Sequence, residues 1–421
     1  MAPRARILPA RRNPIMLYHT PTEATLMHDT DLPFAGLTVL DLSQGVAGPY
    51  AGMLLARNGA NVIKLEPPGT GDWSRALGKA HNGETAHSLI ANRGKRSLAL
   101  DLKHAEGAAI ARELAAKSHV IIQNFRVGKI DRFGLDYKTV AQTNPAVVYA
   151  AVTGFGQEGP RIHQPATDSV MQAYTGIMSI NRDATGLPQR INMLAIDIST
   201  GLYIFQAIAA ALYRQVTRNK GALIETSLLE SSLVFQEAAL IDSALQGEEI
   251  EPIGMPVGTF RTADGYMSIN ARRQNQFEAF ANLVGHPEWI PDPRFADPRA
   301  RVEHRDALMP LIRPIIETRT TAEWSADLEA RDILHGPVHT HHDLFEDPQV
   351  NAVQALHWIE DHALGRVPFA TLPGQPTPAT GDRLSQSPAL GAHSREVLEE
   401  MGRSAEEIDG LIKERAIGQP A

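Results

Sequence analysis

Cysteine is absent from all 421 residues. That excludes disulfides, thiolate metal sites and a thiol nucleophile, so covalent chemistry must fall to an oxygen or nitrogen side chain. No apolar run is long enough to read as a bilayer span; the stretch 202–213 is too short and is followed at once by Arg214. Positive charge is not in excess either. A formal net charge of −8 argues against broad attraction to nucleic acid or anionic lipid, and any phosphate site must be local. Internal repeats and low-complexity tracts are missing beyond a few loops. What remains is the balance of a folded protein, 43% hydrophobic and 21% charged, long enough for two or three structural units. A cytoplasmic setting fits the lack of cysteine.

The first residues, MAPRARILPARRNPIML, are Arg-rich and free of acids, the composition of an organelle-targeting segment. Pro3, Pro9 and Pro14 oppose the amphipathic helix such a signal needs, so residues 1–31 read as an accessory extension. From Leu37 short apolar runs alternate with amphipathic stretches. LTVLDL (37–42), NVIKLE (61–66), HVIIQNF (119–125) and VVYAAV (147–152) read as buried strands, with helices predicted at 49–58 and 105–117. This order predicts a parallel sheet wrapped by helices. An Ala/Leu-rich helix is expected at 198–217, and GALIETSLLESSLVFQEAAL begins as a strand and continues as a helix. After Gln246 the texture changes: GTFRTADGYMSINA (258–271) reads as a hairpin, followed by helices at 274–284, 305–316 and 321–330. A loop is expected from His335 to Pro348, then a Pro/Gly-rich stretch (367–381) and one C-terminal helix at 394–414.

Several clusters could carry chemistry. GVAGPYAGMLLARNGA follows the first strand and opens a helix, whose amides could receive a phosphate or a carbonyl oxygen; it lacks GxGxxG spacing and reads equally as a tight turn with Pro49 in the first helical turn. NRGKRSLALDLK gathers Arg93, Lys95, Arg96 and Lys103, and QNFRVGKIDRFG adds Arg126, Lys129 and Arg132 just after a buried strand, where open α/β sheets bind ligands. The plain alternative for each is a solvated basic turn. HTHHD (339–343) packs three histidines and an acid, yet its spacing is poor for one-face ligation, so exposed loop histidines are expected and no metal site is assigned. Asp168 and Asp197 each sit in an otherwise apolar stretch, and a carboxylate is costly to bury unless it is bonded or used. Asp197 precedes a helix predicted to start near Ser199, where it is either an N-cap or a nucleophile.

Taken in order, GLTVLDLSQGVAGPYAGMLLARNGANVIKLEPPGTGDWSR, NRGKRSLALDLK, QNFRVGKIDRFGLDY, VYAAVTGFGQEGP, PATDSVMQAYTG, AIDISTG and GALIETSLLESSL resemble the class III CoA-transferases. That family includes formyl-CoA and carnitine CoA-transferases and, more distantly, the α-methylacyl-CoA racemases. The resemblance runs from about Leu32 to the C-terminus. It implies an α/β fold, with a Rossmann-like large domain containing a parallel sheet, a smaller α/β domain and an interlocked homodimer. The divisions it implies are an N-terminal extension (1–31), the large CoA-binding domain (32–228), a linker (229–254), the small domain (255–335), and a linker with C-terminal return (336–421). By position the family's nucleophile falls on Asp197, with Asp168 helping to shape the site. The CoA-binding positions fall on Val46, Ala47, Leu100, Lys103, Asn124, Phe125, Arg126, Gly128, Arg132 and Phe133, with Lys95 and Arg96 as phosphate neighbours.

The implied substrates are an acyl-CoA donor and a carboxylic acid acceptor, with coenzyme A as substrate and no separate cofactor. An ionised Asp197 would attack the thioester to give an acyl-aspartyl anhydride, and an aspartyl-CoA thioester would form on the way to product. Departures from the family bear on substrate. Formyl-CoA transferases carry tyrosines where this chain has His87 and Thr167, a glutamine at Val46, and a glycine-rich lid where it has PIGMPVGTF, which disfavours an oxalate and formate pair. Racemases use a histidine at the position of Thr167, and threonine cannot move that proton. Racemization and non-catalytic CoA binding stand as alternatives, and Arg272 and Arg273 are either surface arginines or ligands for a second carboxylate.

Overall fold

A computed structural model describes residues 32–183, 185–247, 250–378 and 381–418. The expected N-terminal extension, residues 1–31, lies outside them.

The first part of the chain alternates strand and helix: β1 (Thr38–Asp41), α1 (Ala47–Arg57), β2 (Asn61–Glu66), α2 (Ala86–Asn92), β3 (Arg96–Ala99), α3 (Ala105–Lys117), β4 (Val120–Gln123), α4 (Tyr137–Thr143) and β5 (Val148–Thr153). Two short helices, α5 (Asp168–Tyr174) and α6 (Ile177–Ile180), precede the long α7 (Ala195–Arg218) and β6 (Ala222–Ser227). All six strands pair in parallel in the order β3-β2-β1-β4-β5-β6. The order reverses between β1 and β4, and at such a switch point the strand ends leave a crevice.

The alternation of side chains across each strand explains why both faces are covered. Leu40, Ile63, Ile121 and Tyr149 point into one core, which also takes in Ile110, Leu114, Val397 and Ile408. Their neighbours Val39, Val62, Val120 and Val148 point into the other, packed on Leu55, Ile204, Ile208 and Leu212. The helix α7 is long and apolar enough to cross a bilayer by length and composition alone, which the run 202–213 did not reveal. Here it packs against α1, β5 and β6. A Cβ at Gly201 would lie 2.9 Å from the Ala47 carbonyl, so glycine is what lets α7 approach α1.

After β6 come α8 (Leu228–Phe235) and α9 (Glu237–Gln246), then β7 (Val257–Arg261) and β8 (Tyr266–Asn270), the hairpin read from the sequence. Next are α10 (Gln274–Leu283), α11 (Pro298–Glu303), α12 (Arg305–Ile316), α13 (Thr321–Glu329) and β9 (Leu334–Pro337). β7, β8 and β9 form a three-stranded antiparallel sheet over a separate core that includes Phe260, Phe277, Phe280, Leu308 and Trp324. Arg301 is fully buried there; its guanidinium donates to the Met255, Phe295 and Arg272 carbonyls and lies 4.2 Å from the Phe277 ring centre.

The expected loop at 335–348 is instead the end of β9 followed by α14 (His341–Glu346). Thr340 caps α14, and Asp343 accepts from both the Thr340 amide and hydroxyl, so this acid of the HTHHD run is a helix cap. Beyond α15 (Pro348–Ala352) and the hairpin of β10 (Leu356–Asp361) and β11 (Gly365–Ala370), the predicted single C-terminal helix is two, α16 (Ser394–Glu400) and α17 (Ala405–Lys413). Gly402, at φ +90°, breaks them. The tail covers the sheet edge: the His393 amide donates to Ser97, Ala99 donates to the Ser394 hydroxyl, and the Gly418 amide donates to the Ala99 carbonyl. Residues 96–99 were read only as part of a basic cluster, because the strand is short and half polar.

Beneath the ends of β1, β2 and β3 lies a charge network sealed from solvent. The Lys95 ammonium donates to Asp41 and to the Pro49 carbonyl at 2.7 Å each, and to Asn92 at 3.0 Å. Lys64 pairs with Asp72 at 2.8 Å, and Arg75 grips Glu66 with two bonds of 2.8 Å while also pairing with Glu84. Burial alone would raise the Asp41 carboxyl, but Lys64 and Lys95 outweigh it and hold it below the usual carboxylate range. Removing one partner from such a network leaves a buried charge uncompensated. We expect Asp41→Asn to cost about 3–5 kcal/mol in urea denaturation; a change below about 1 kcal/mol would show that the network contributes little to stability.

Candidate active site

The first turn of α7 carries Asp197, and what starts that turn is an acid from another helix. The position before it, Leu194, offers no side-chain cap. Asp168, the first residue of α5, fills the role: one of its carboxylate oxygens accepts the Ile196 amide at 2.7 Å and the Asp197 amide at 3.1 Å. The other oxygen accepts from the Gln172 amide group at 2.5 Å. Both Asp168 oxygens are thus engaged. Asp197 is the third residue of the helix, neither its N-cap nor a residue before it, because the helix begins at Ala195 and not near Ser199.

Among the described residues, nothing donates a hydrogen bond to the Asp197 carboxylate. Its residue is 9% exposed, so the group is close to solvent yet poorly solvated. Burial, and then the like charge of Asp168, push its carboxyl up to about 7. The sequence reading required an ionised group, easily had unless burial raised it, and burial does raise it here.

Asp197 lines two cavities. One, of about 120 Å³, is bounded by Gln44, Val46, Ala47, Trp73, Asn124 and Thr167. It shares Gln44, Trp73 and Asn124 with a cavity of about 340 Å³ that extends to Phe125 and Arg126. The other cavity beside Asp197, of about 510 Å³, is largely apolar. Trp73 borders all three, and it follows β2 at the strand-end side of the sheet. Its seat depends on Gly45: a Cβ there would come within 2.0 Å of the indole, and the φ of +85° favours glycine as well. The Gly45 amide donates to Asp72 at 2.7 Å, so the sealed charge network holds this loop in place.

Of the positions marked by resemblance, the structure brings Val46, Ala47, Asn124, Phe125 and Arg126 together along this cleft. Asn124 braces the loop after β1, accepting the Gln44 amide at 2.8 Å and donating to its carbonyl at 2.7 Å. Val46 and Ala47, which open α1, line the smaller cavity, and the N–H groups of a helix start have no intrahelical acceptor. Gly128 borders an adjoining depression with Phe125 and Arg126. Phe133 meets Phe125 edge to face at 6.2 Å, and Arg132 is exposed beside it. Leu100 and Lys103 follow the edge strand β3 and border none of these cavities; Leu100 is buried and Lys103 exposed.

Lys95 and Arg96 are not brought to the cleft. Lys95 is spent on Asp41, and Arg96 is bound by Glu400 at 2.8 and 2.9 Å and by Glu396 at 2.9 Å. A basic run in the sequence does not show which of its members face inward: Lys95, just before β3, bonds Asp41, while Arg96, the first residue of β3, bonds the C-terminal helix α16. Arg272 is half-buried, with its backbone carbonyl accepting from Arg301, and Arg273 is exposed; neither borders these cavities. Sequence reasoning missed Trp73, Gln44 and Arg190 as cavity residues. The position of Trp73 just beyond β2 was the available signal.

Residues 34–394 match CoA-transferase family III over most of the chain. The chain belongs to that family. It is 31% identical to the succinyl-CoA:glutarate CoA-transferase of Mus musculus over 385 residues, covering 89% of this chain and 88% of the relative. Family similarity extends to the acetyl-CoA:oxalate CoA-transferase of Acetobacter aceti, 34% identical over 313 residues and covering 73% of this chain and 80% of that one. Among solved structures, a CAIB/BAIF family protein from Brucella suis is 32% identical with a TM-score of 0.77, covering 88% of this chain and 99% of its own. Family members thus share the α/β architecture with its parallel sheet.

The raised Asp197 carboxyl has a consequence for folding. The unfolded chain ionises this group near the ordinary aspartate value of 3.8, the folded one at about 7. Stability attributable to the neutral group is therefore present at acid pH and lost as pH rises to about 7. Asp197→Asn abolishes that titration, so its stability advantage over wild type should grow from pH 5 to pH 8 in urea melts. A difference that stays constant with pH would show that the carboxylate is well solvated.

Proposed function

We propose that this chain moves CoA from an acyl-CoA thioester to a carboxylic acid, with Asp197 as the nucleophile. The observation that carries the proposal is the Asp197 carboxylate: unbonded, poorly solvated and shared by two cavities, one running toward Asn124 and Arg126, the other apolar. The first suits a pantetheine arm and the second an acyl group.

In the first step an Asp197 oxygen attacks the thioester carbonyl, the C–S bond breaks, and CoA leaves as a thiolate. The thiolate then attacks the aspartyl carbonyl of the resulting anhydride, which releases the donor acid and leaves an aspartyl-CoA thioester. The acceptor carboxylate displaces the thiolate from that thioester, and the thiolate returns to the acceptor acyl carbon, freeing Asp197. Every intermediate is an activated acyl group, so no other energy source is needed. The free N–H groups at the start of α1 are suited to stabilise the developing oxyanions. The raised carboxyl fits this chemistry, since a more basic carboxylate is a better nucleophile once ionised. Asp168, with both oxygens engaged, positions Asp197.

CoA binding is assigned to Val46, Ala47, Asn124, Phe125, Arg126 and Gly128, with Arg132, Phe133, Leu100 and Lys103 farther along the strand-end side. The acids in the relatives' names, glutarate and oxalate, support a carboxylic acid acceptor. We further read residues 32–228 as a Rossmann-like large domain, 255–335 as the small domain, and 336–421 as the return. An interlocked homodimer is supported by the apolar surface of α7, α8 and α9, where Tyr213, Val216, Phe235, Ile241 and Leu245 are all more than half exposed. The cytoplasm is the proposed setting.

Asp197→Ala should abolish CoA exchange, and hydroxylamine added during turnover should modify Asp197 in the wild type, as read by mass spectrometry. Exchange by Asp197→Ala at the normal rate would refute the proposal. The wild-type rate should rise with pH and level off above about 7. In a second comparison, Arg126→Ala should raise the KM for acyl-CoA, whereas Lys95→Met should lower Tm with little change in that KM.

A further inference from the structure

The apolar cavity beside Asp197 has one feature that the transfer chemistry does not use. Trp73, Leu77, Met193 and Leu194 give it its apolar walls, and two carboxylates, Asp168 and Asp197, border it. These acids would repel a substrate carrying a second negative charge. Yet a permanently cationic side chain also lines this wall: Arg190.

Arg190 is held in register with the nucleophile by one glutamine. The amide of Ile191, next along the chain, donates to the Gln172 side chain at 2.8 Å, and the Gln172 nitrogen donates to the Ile191 and Met193 carbonyls at 3.2 Å. That same nitrogen contacts Asp168, which starts the helix turn of Asp197. On the other side, the Gln189 carbonyl accepts from the Asn181 side chain at 2.9 Å, so the backbone is pinned both before and after Arg190. The guanidinium itself is little used. It donates to Asn192 at 3.1 Å and, among the described residues, pairs with no carboxylate. A planar fork with spare donors, facing a cavity with apolar walls, matches a carboxylate at the far end of a short hydrocarbon chain.

We infer that Arg190 binds the distal carboxylate of a dicarboxylic acid while the other carboxylate reacts at Asp197, which makes it the residue that selects dicarboxylates over monocarboxylates. The inference rests on the CoA-transfer reading of the site. His87 also lines the cavity, but its Nδ1 is 3.1 Å from the Leu77 carbonyl and it lacks the planar fork of a guanidinium, so it does not substitute for Arg190.

The test compares glutarate with pentanoate, which has the same five-carbon chain and a single carboxylate, each with acetyl-CoA or succinyl-CoA as donor. The full-length wild type should favour glutarate. Arg190→Met should lower kcat/KM for glutarate roughly 10- to 100-fold, mainly through KM, and leave pentanoate unchanged or improved. Arg190→Lys should fall between, since it keeps the charge and loses the fork. A wild type indifferent between the two acids, or a variant that loses both equally, would overturn the assignment. Calorimetric titration of glutarate into the protein saturated with CoA separates this inference from the reading beneath it. If no acid is converted but glutarate binds and Arg190→Met weakens that binding, CoA transfer fails and the subsite stands. If glutarate does not bind and is not converted, both fall.

Discussion

The contact from which the rest of the site follows is the one between the Asp168 carboxylate and the first turn of α7. A helix start leaves backbone N–H groups without acceptors, and α7 has no cap of its own at Leu194. Asp168 supplies the acceptor from a neighbouring helix. That single arrangement places Asp197 at the cavity wall and sets a second negative charge close by. The helix N-terminus favours an anion here, but burial and Asp168 outweigh it, and the Asp197 carboxyl rises to about 7. One acid is spent on geometry, and the other is left without a donor among the described residues.

The cleft needs a rigid floor, and the network under the strand ends provides it. Asp72 is the joint between the two. It pairs with Lys64 in the interior and accepts the Gly45 amide in the loop after β1. Gly45 in turn leaves room for Trp73, which borders every cavity of the site. The C-terminal segment belongs to the same construction: Arg75 donates to the Pro388 carbonyl at 3.0 Å, and the Phe369 ring lies against the guanidinium groups of both Arg57 and Arg93. Residues far apart in the chain therefore share in fixing one short loop.

Much of this architecture was legible in the amino-acid order. The strands at 37–42, 61–66, 119–125 and 147–152 were readable because buried parallel strands are short continuous apolar runs. β3 was not, because Arg96 and Ser97 interrupt the pattern and their partners, Glu400 and Glu66, lie elsewhere in the chain. The histidine run at 339–343 was misread as loop because a capping box looks like any polar cluster until its hydrogen bonds are seen.

By itself the sequence determined the fold class, the family and the two acids worth examining, since these depend on local pattern and on motifs kept in order. Which of the two acids is free, that Lys95 is turned into the interior and that Arg190 lines the apolar cavity were decided only by the tertiary structure. Burial, pairing and charge environment arise from groups brought together across the chain, and no local pattern records them.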